Sequence, residues 1–222
     1  MAYPSSDFKT VSLTSNIDES QHMSESGKTQ ARRHGGQRFE LTIEHPPQTK
    51  AEFMPNWAFL RSQQGRDQSF TITLPDKSTP LGAVTGSPKT QAAIARGTSQ
   101  LAINDLAYST TDVFYAGDMI NFNHSKAYKI VSRVDSGAQD LLTTYAGDPL
   151  TTYAADELQT AESGQAVVTI FPPLIEDVAA GVAIQYGANF TMTVKQKNDV
   201  QEYNVAPPNI YAHQVDLVEY IS

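Results

Sequence analysis

The stretch Asn209-Ile210-Tyr211-Ala212-His213-Gln214-Val215-Asp216-Leu217-Val218-Glu219-Tyr220-Ile221 decides the fold class. Its alternation is the period-two signature of a half-buried strand, so the end of the chain is expected to be built into a sheet. The same signal recurs upstream. Phe8 to Thr14 and Arg38 to Glu44 alternate in this way, the second ended by Pro46-Pro47. They read as two strands, either paired or separated by a long polar arm, residues 15–37, with a Gly35-Gly36 turn signal. Ser69 to Leu74 alternates cleanly and is closed by Pro75. Further short strands are expected over Ser99–Ile103, Ala166–Phe171, Ala183–Tyr186 and Phe190–Lys195. Met119–Phe122 and Ala127–Val134 flank Asn123-His124-Ser125-Lys126 and predict a hairpin. About ten strands against one helix place the chain in the mainly β class.

The one helix is marked by Thr49 followed by Glu52, a capping-box spacing. Phe53, Trp57 and Leu60 follow at helical intervals, and Gly65 is a stop signal. Pro55 within that run implies either a kink or a helix that begins near Pro55. The segment 76–90 carries Pro80, Gly82, Gly86 and Pro88 and reads as a loop at a domain boundary.

Composition removes several functions. The 222 residues contain no cysteine, which excludes a disulfide scaffold, a thiolate metal site and a cysteine nucleophile. It also fits synthesis in a reducing cytoplasm. The 24 acidic against 16 basic side chains leave a net charge of -8, which argues against nucleic acid as a partner. No apolar run approaches the ~18 residues of a membrane span, so no membrane partner is expected. The first residues have neither a basic start nor an apolar stretch and do not read as a signal peptide.

No catalytic constellation emerges. Gly27-Lys28-Thr29 imitates the end of a phosphate-binding loop, but His22 stands where the motif needs its first glycine. The five histidines, His22, His34, His45, His124 and His213, include no two within four residues, so no helical metal pair exists. They are read as surface or turn residues. A nucleophile elbow is missing, and Asp156-Glu157 and Glu176-Asp177 read as solvated pairs. Leu142-Thr143-Thr144-Tyr145-Ala146 recurs as Leu150-Thr151-Thr152-Tyr153-Ala154, a duplication too short for a solenoid. Arg32-Arg33 with Arg38 is the one basic cluster. In an acidic chain it is either a solvated loop or an inter-subunit contact, since Arg forks pair bidentately with carboxylates.

The ordering of three stretches resembles the distal tail proteins of long-tailed, siphovirus-type bacteriophages. These are the N-terminal strand and arm with Arg33-His34-Gly35-Gly36-Gln37-Arg38-Phe39, the helix ending Trp57-Ala58-Phe59-Leu60-Arg61-Ser62-Gln63-Gln64-Gly65 before Phe70-Thr71-Ile72, and Ala116-Gly117-Asp118-Met119-Ile120 with Tyr128-Lys129-Ile130-Val131 and Val168-Thr169-Ile170-Phe171-Pro172-Pro173-Leu174. The resemblance implies a structural virion protein without enzymatic activity or cofactor. It implies a ring, typically of six copies, in the baseplate region at the distal end of the tail. Its neighbours would be the tail tube protein and the tail-tip hub or fibre proteins. It further implies a ring-forming β-sandwich or barrel domain over 1–88 and 176–222, with a small OB-like or galectin-like β-barrel inserted over 89–175. The segment 138–165 departs from that plan. On this reading the arm would order only against a neighbour. The alternative is a carbohydrate- or receptor-binding tail module, for which Tyr145 and Tyr153 are the candidate glycan contacts. Glycan hydrolysis comes third and needs two carboxyls about 5–9.5 Å apart.

Overall fold

The computed structural model describes residues 1–4, 7–33, 36–107, 111–132, 164–199 and 202–221. Along the chain these form β1 (Thr10–Asn16), β2 (Glu19–Met23), β3 (Thr29–Arg33), β4 (Arg38–Glu44), α1 (Lys50–Ser62) and β5 (Phe70–Ile72). There follow β6 (Lys89–Thr90), β7 (Gln100–Leu106), β8 (Met119–Asn121), β9 (Ala127–Ile130), β10 (Gly164–Phe171) and β11 (Gln185–Tyr186). The chain closes with β12 (Met192–Gln196), β13 (Tyr203–Ala206) and β14 (Ile210–Glu219). The protein is mainly β, with curled sheets that include a half-barrel. It divides into two compact units, one of Met1–Ser78, His124–Lys126 and Ala188–Ser222, the other of Thr79–Asn123 and Ala127–Gly187.

The first unit is built on an antiparallel sheet of order β1-β4-β14-β12-β5, with β13 paired to the start of β14. Register places Leu13, Leu41 and Leu217 in one row and Val11, Ile43 and Val215 in the next. Alternation then sends Phe39, Leu41, Ile43, Val215 and Leu217 to a single buried face. The opposite face carries Glu40 with Lys197 at 2.7 Å and Thr42 with Asp216 at 2.9 Å. A sheet with one dry and one wet face produces the clean alternation of the sequence.

Helix α1 covers the dry face with Phe53, Asn56 and Leu60. Its entry is set by Glu52, whose carboxylate accepts from the Thr49 amide and hydroxyl, both at 2.9 Å. The helix therefore begins at Lys50 and contains Pro55 in its second turn, where the Ala51 carbonyl loses its usual donor. It ends through Gln63, after which Gln64 and Gly65 both take positive φ. Gln196 clamps the helix to the sheet, donating to the Leu60 carbonyl at 2.6 Å.

The polar arm is not featureless. It forms the two-stranded ladder β2–β3, with Glu19 opposite Arg33 and Met23 opposite Thr29. Every residue of β2 is exposed, so the pairing is held by backbone bonds rather than by burial.

The second unit is a six-stranded curled sheet of order β11-β8-β9-β10-β7-β6. The expected hairpin is β8–β9, with Ile120 opposite Tyr128. A bridge between Lys89 and Ala183, with Thr90 N to Val182 O at 3.0 Å, links the two ends of the curl. Its core gathers Leu101, Ile103, Phe114, Tyr128, Ile130 and Val168.

The boundaries of this unit differ from the expected 89–175. It begins at Thr79 because Val84 packs in its core and the Leu81 and Gly82 amides donate to the Asp118 carboxylate, at 2.7 and 3.2 Å. It runs on to Gly187 because Leu174, Val178 and Ile184 lie in the same core beyond Pro172-Pro173. Gly82 admits no side chain, since a Cβ there would stand 2.3 Å from the Val113 carbonyl oxygen.

Candidate functional site

The residues singled out in the sequence fall in different places. Arg32 and Arg33 lie on β3, opposite Ser20 and Glu19, and Arg32 is exposed. Arg38 opens β4 opposite Asn16 and is also exposed. The arm thus carries Lys28 and Arg32 outward on a hairpin whose turn, Ser24 to Lys28, includes Gly27 at a φ of 78°. The turn also explains the Gly27-Lys28-Thr29 decoy, which has a strand on each side and no helix behind it. Tyr145, Tyr153 and the repeat containing them lie outside the described residues, as does Asp156-Glu157. Glu176 and Asp177 are exposed, as a solvated pair should be.

Two polar clusters inside the first unit were not anticipated. At one end of the sheet Lys126 is wholly buried. Its Nζ donates to the Gln37 carbonyl at 2.9 Å, to Gln37 Oε1 at 2.7 Å and to Glu219 Oε2 at 2.5 Å. The ammonium also sits 4.9 Å from the centre of the Phe39 ring. Burial pushes the Lys126 pKa down, and the Glu219 carboxylate opposes that shift. Glu219 Oε2 further accepts from the Phe39 amide at 3.0 Å.

At the other end His45 and His213 are buried and stacked, with ring centres 4.2 Å apart and planes within 12°. This corrects the reading of both as surface or turn histidines. His45 follows Phe39, Leu41 and Ile43 on the inward parity of the chain, and His213 lies between Tyr211 and Val215. The Tyr3 hydroxyl meets His45 Nε2 at 2.8 Å, and His45 Nδ1 lies 3.1 Å from the Asp7 carbonyl. A neutral ring with Nδ1–H donating and Nε2 accepting satisfies both contacts. Among the described residues neither ring nitrogen of His213 has a hydrogen-bond partner. Burial lowers the pKa of both imidazoles, His213 to about 4 with further repulsion from His45, and His45 against the pull of Asp7. Burial raises the Tyr3 phenol.

An open cleft of about 650 Å3 lies where β14 passes its pairing from β13 to β12, between Arg66, Gln196, Asp199, Glu202, Asn204 and Asp216. Arg66 and Asp199 approach to 3.6 Å within it. An aromatic cluster of α1 and β13 includes Tyr203, which is exposed. Trp57 stacks on Phe53 at 5.7 Å, meets Tyr203 edge-on at 4.9 Å and lies under the Arg61 guanidinium. Among the described residues no group of three or more His, Asp or Glu could hold a metal ion.

No family model and no curated protein matches the chain.

Proposed function

We propose that this chain is a structural virion protein, the subunit of a ring at the distal end of a phage tail, and that the β2–β3 arm joins one copy to the next. The observation that carries the reading is the arm. A two-stranded ladder is marginal alone in water, and this one presents an exposed β2 together with Lys28 and Arg32 in a chain of net charge -8. A hairpin with Glu19 and Glu25 toward its first strand and Lys28, Arg32 and Arg33 toward its second offers charges of both signs to a neighbour, which fits a heterologous contact, and such contacts close into rings when the rotation allows. The tail tube protein on one side and tail-tip hub or fibre proteins on the other are the partners this role requires.

The test is the mass and image of the purified full-length protein. Light scattering and negative-stain micrographs are expected to give closed rings, typically of six copies. Charge reversal at Arg32 and Arg33 should return the protein to monomers while leaving its circular dichroism unchanged. A wild-type protein that stays monomeric at high concentration overturns the proposal, and so does a double variant that still forms rings.

A further inference from the structure

We infer that His45 and His213 form a proton-operated clasp: charging this stacked pair frees the N-terminal segment from β5 and opens the edge of that strand. The inference does not depend on the assembly reading above.

Side-chain contacts tie the segment to the clasp, and backbone bonds tie it to β5. The Tyr3 hydroxyl is held by His45 Nε2 at 2.8 Å, and the Tyr3 ring packs against His45, Phe59 and Phe70 at centre distances of 5.8, 5.7 and 6.0 Å. The Tyr3 amide donates to the Thr71 carbonyl at 2.8 Å. The Thr71 amide donates to the Met1 carbonyl, also at 2.8 Å, so residues 1–3 run beside β5 as a parallel strap bridged at Ala2 and Thr71. The other side of β5 is taken by β12. The strap is thus what covers this sheet edge, and an uncovered edge offers its backbone to another strand.

The pair accommodates neutral rings only. A charged imidazole needs an acceptor for each N–H, and His213 is 95% buried with no partner at either nitrogen among the described residues. Phe53 approaches it edge-on at 5.0 Å, and Tyr203 lies opposite it in register on β13. At His45 a second proton turns Nε2 from acceptor into donor, and the Tyr3 hydroxyl then loses the acceptor for its own hydrogen.

The ionisable neighbours offer little compensation. From the N-terminal segment come Tyr3 and Asp7, and Asp7 favours the charged form of His45. From β13 and β14 come the phenols of Tyr203 and Tyr211. On α1, Glu52 is committed to Thr49, and on β4, Glu44 is paired with Lys9 at 2.8 Å. Two stacked imidazolium rings would also repel each other directly.

The experiment follows amide protection factors by NMR in the 15N-labelled full-length protein at neutral pH and at about pH 4.5, within reach of a depressed histidine. The Thr71 amide is expected to lose about tenfold protection or more on acidification and to stay well below Leu217 and Leu41 in protection, which marks a local opening. The ring nitrogens of His213 should titrate with the same midpoint. H213F, which keeps an aromatic ring but removes one of the two proton sites, should lose clearly less Thr71 protection on acidification than the wild type. Unchanged Thr71 protection in the acidified wild type overturns the inference. Equal protection of Thr71 and Leu217 at the acid pH, equal loss in H213F, or separate midpoints for Thr71 and His213 overturn it as well. The wild-type comparison stands by itself should H213F not fold.

Discussion

Lys126 Nζ and Glu219 Oε2 lie 2.5 Å apart with both side chains wholly out of solvent. Removing water from two charges costs several kcal/mol, and the mutual attraction offsets this only when the remaining valences are filled. Gln37 and the Phe39 amide fill them here.

Breaking that pair from one side leaves a charge alone in the interior. K126A and E219A are each expected to cost about 3–5 kcal/mol, read as a drop in the urea midpoint of the full chain. The double replacement K126M/E219L should cost much less than the sum of the single changes. A double-mutant cycle measures the difference, and simple additivity would argue against the pair acting as a unit.

Asp118 acts as a cap inside the second unit. Its carboxylate accepts from the amides of Leu81, Gly82 and Tyr115, at 2.7, 3.2 and 2.8 Å. D118A strands these donors and should cost about 3 kcal/mol or more, since a single bond to a charged group contributes roughly 1.5–3. D118N keeps the shape and should fall between. Hydrogen exchange at Leu81 and Tyr115 is expected to quicken in the same order.

Two glycines separate crowding from backbone strain. G82A places a methyl group 2.3 Å from the Val113 carbonyl oxygen and 2.8 Å from Phe114 Cα, so the backbone must move. A cost of about 3 kcal/mol is expected, at the upper end for overpacking. G27A meets nothing within 4 Å and suffers only from its φ of 78°, which amounts to about 1 kcal/mol. Thermal melts of the two variants should rank accordingly.

Acid sensitivity follows from His213. Its native pKa of about 4 lies below the usual value near 6.5, so between these limits the unfolded chain binds the extra proton. The contribution of His213 should therefore be level above pH 6.5, fall as pH drops toward 4, and flatten below it. The full amplitude is about 3 kcal/mol, and His45 adds in the same direction. Urea titrations from pH 7.5 to 4 measure the slope, and H213F should flatten most of it.

Much of this architecture can be read from alternation alone. β4 falls on Arg38–Glu44 as expected, and β14 carries Tyr211, His213, Val215, Leu217 and Glu219 inward together. That same parity already placed an imidazole and a carboxylate in the interior. A polar side chain in a strand ordinarily belongs to the wet face, and that expectation hides the sign. Lys126 gave no such sign, since its partner is 93 residues away and it sits in a turn. β13 was hidden by Asn204 and by the Pro207-Pro208 that follow it. The arm ladder was invisible because backbone pairing without burial leaves no hydrophobic pattern. Of the candidate contacts, the arginines were legible as charge against an acidic background, whereas the histidine clasp required two positions 168 residues apart to meet.

The place of β14 between β4 and β12 also imposes an order on biogenesis. It follows in sequence every strand it joins, so a ribosome releases β1 and β4 long before their central partner exists. All the strands of the second unit, from Lys89 to Tyr186, emerge ahead of it and can associate while synthesis continues. The first sheet must wait for its keystone, with Leu41 and Ile43 uncovered in the meantime. During that interval the nascent chain is most exposed to chaperones and to aggregation.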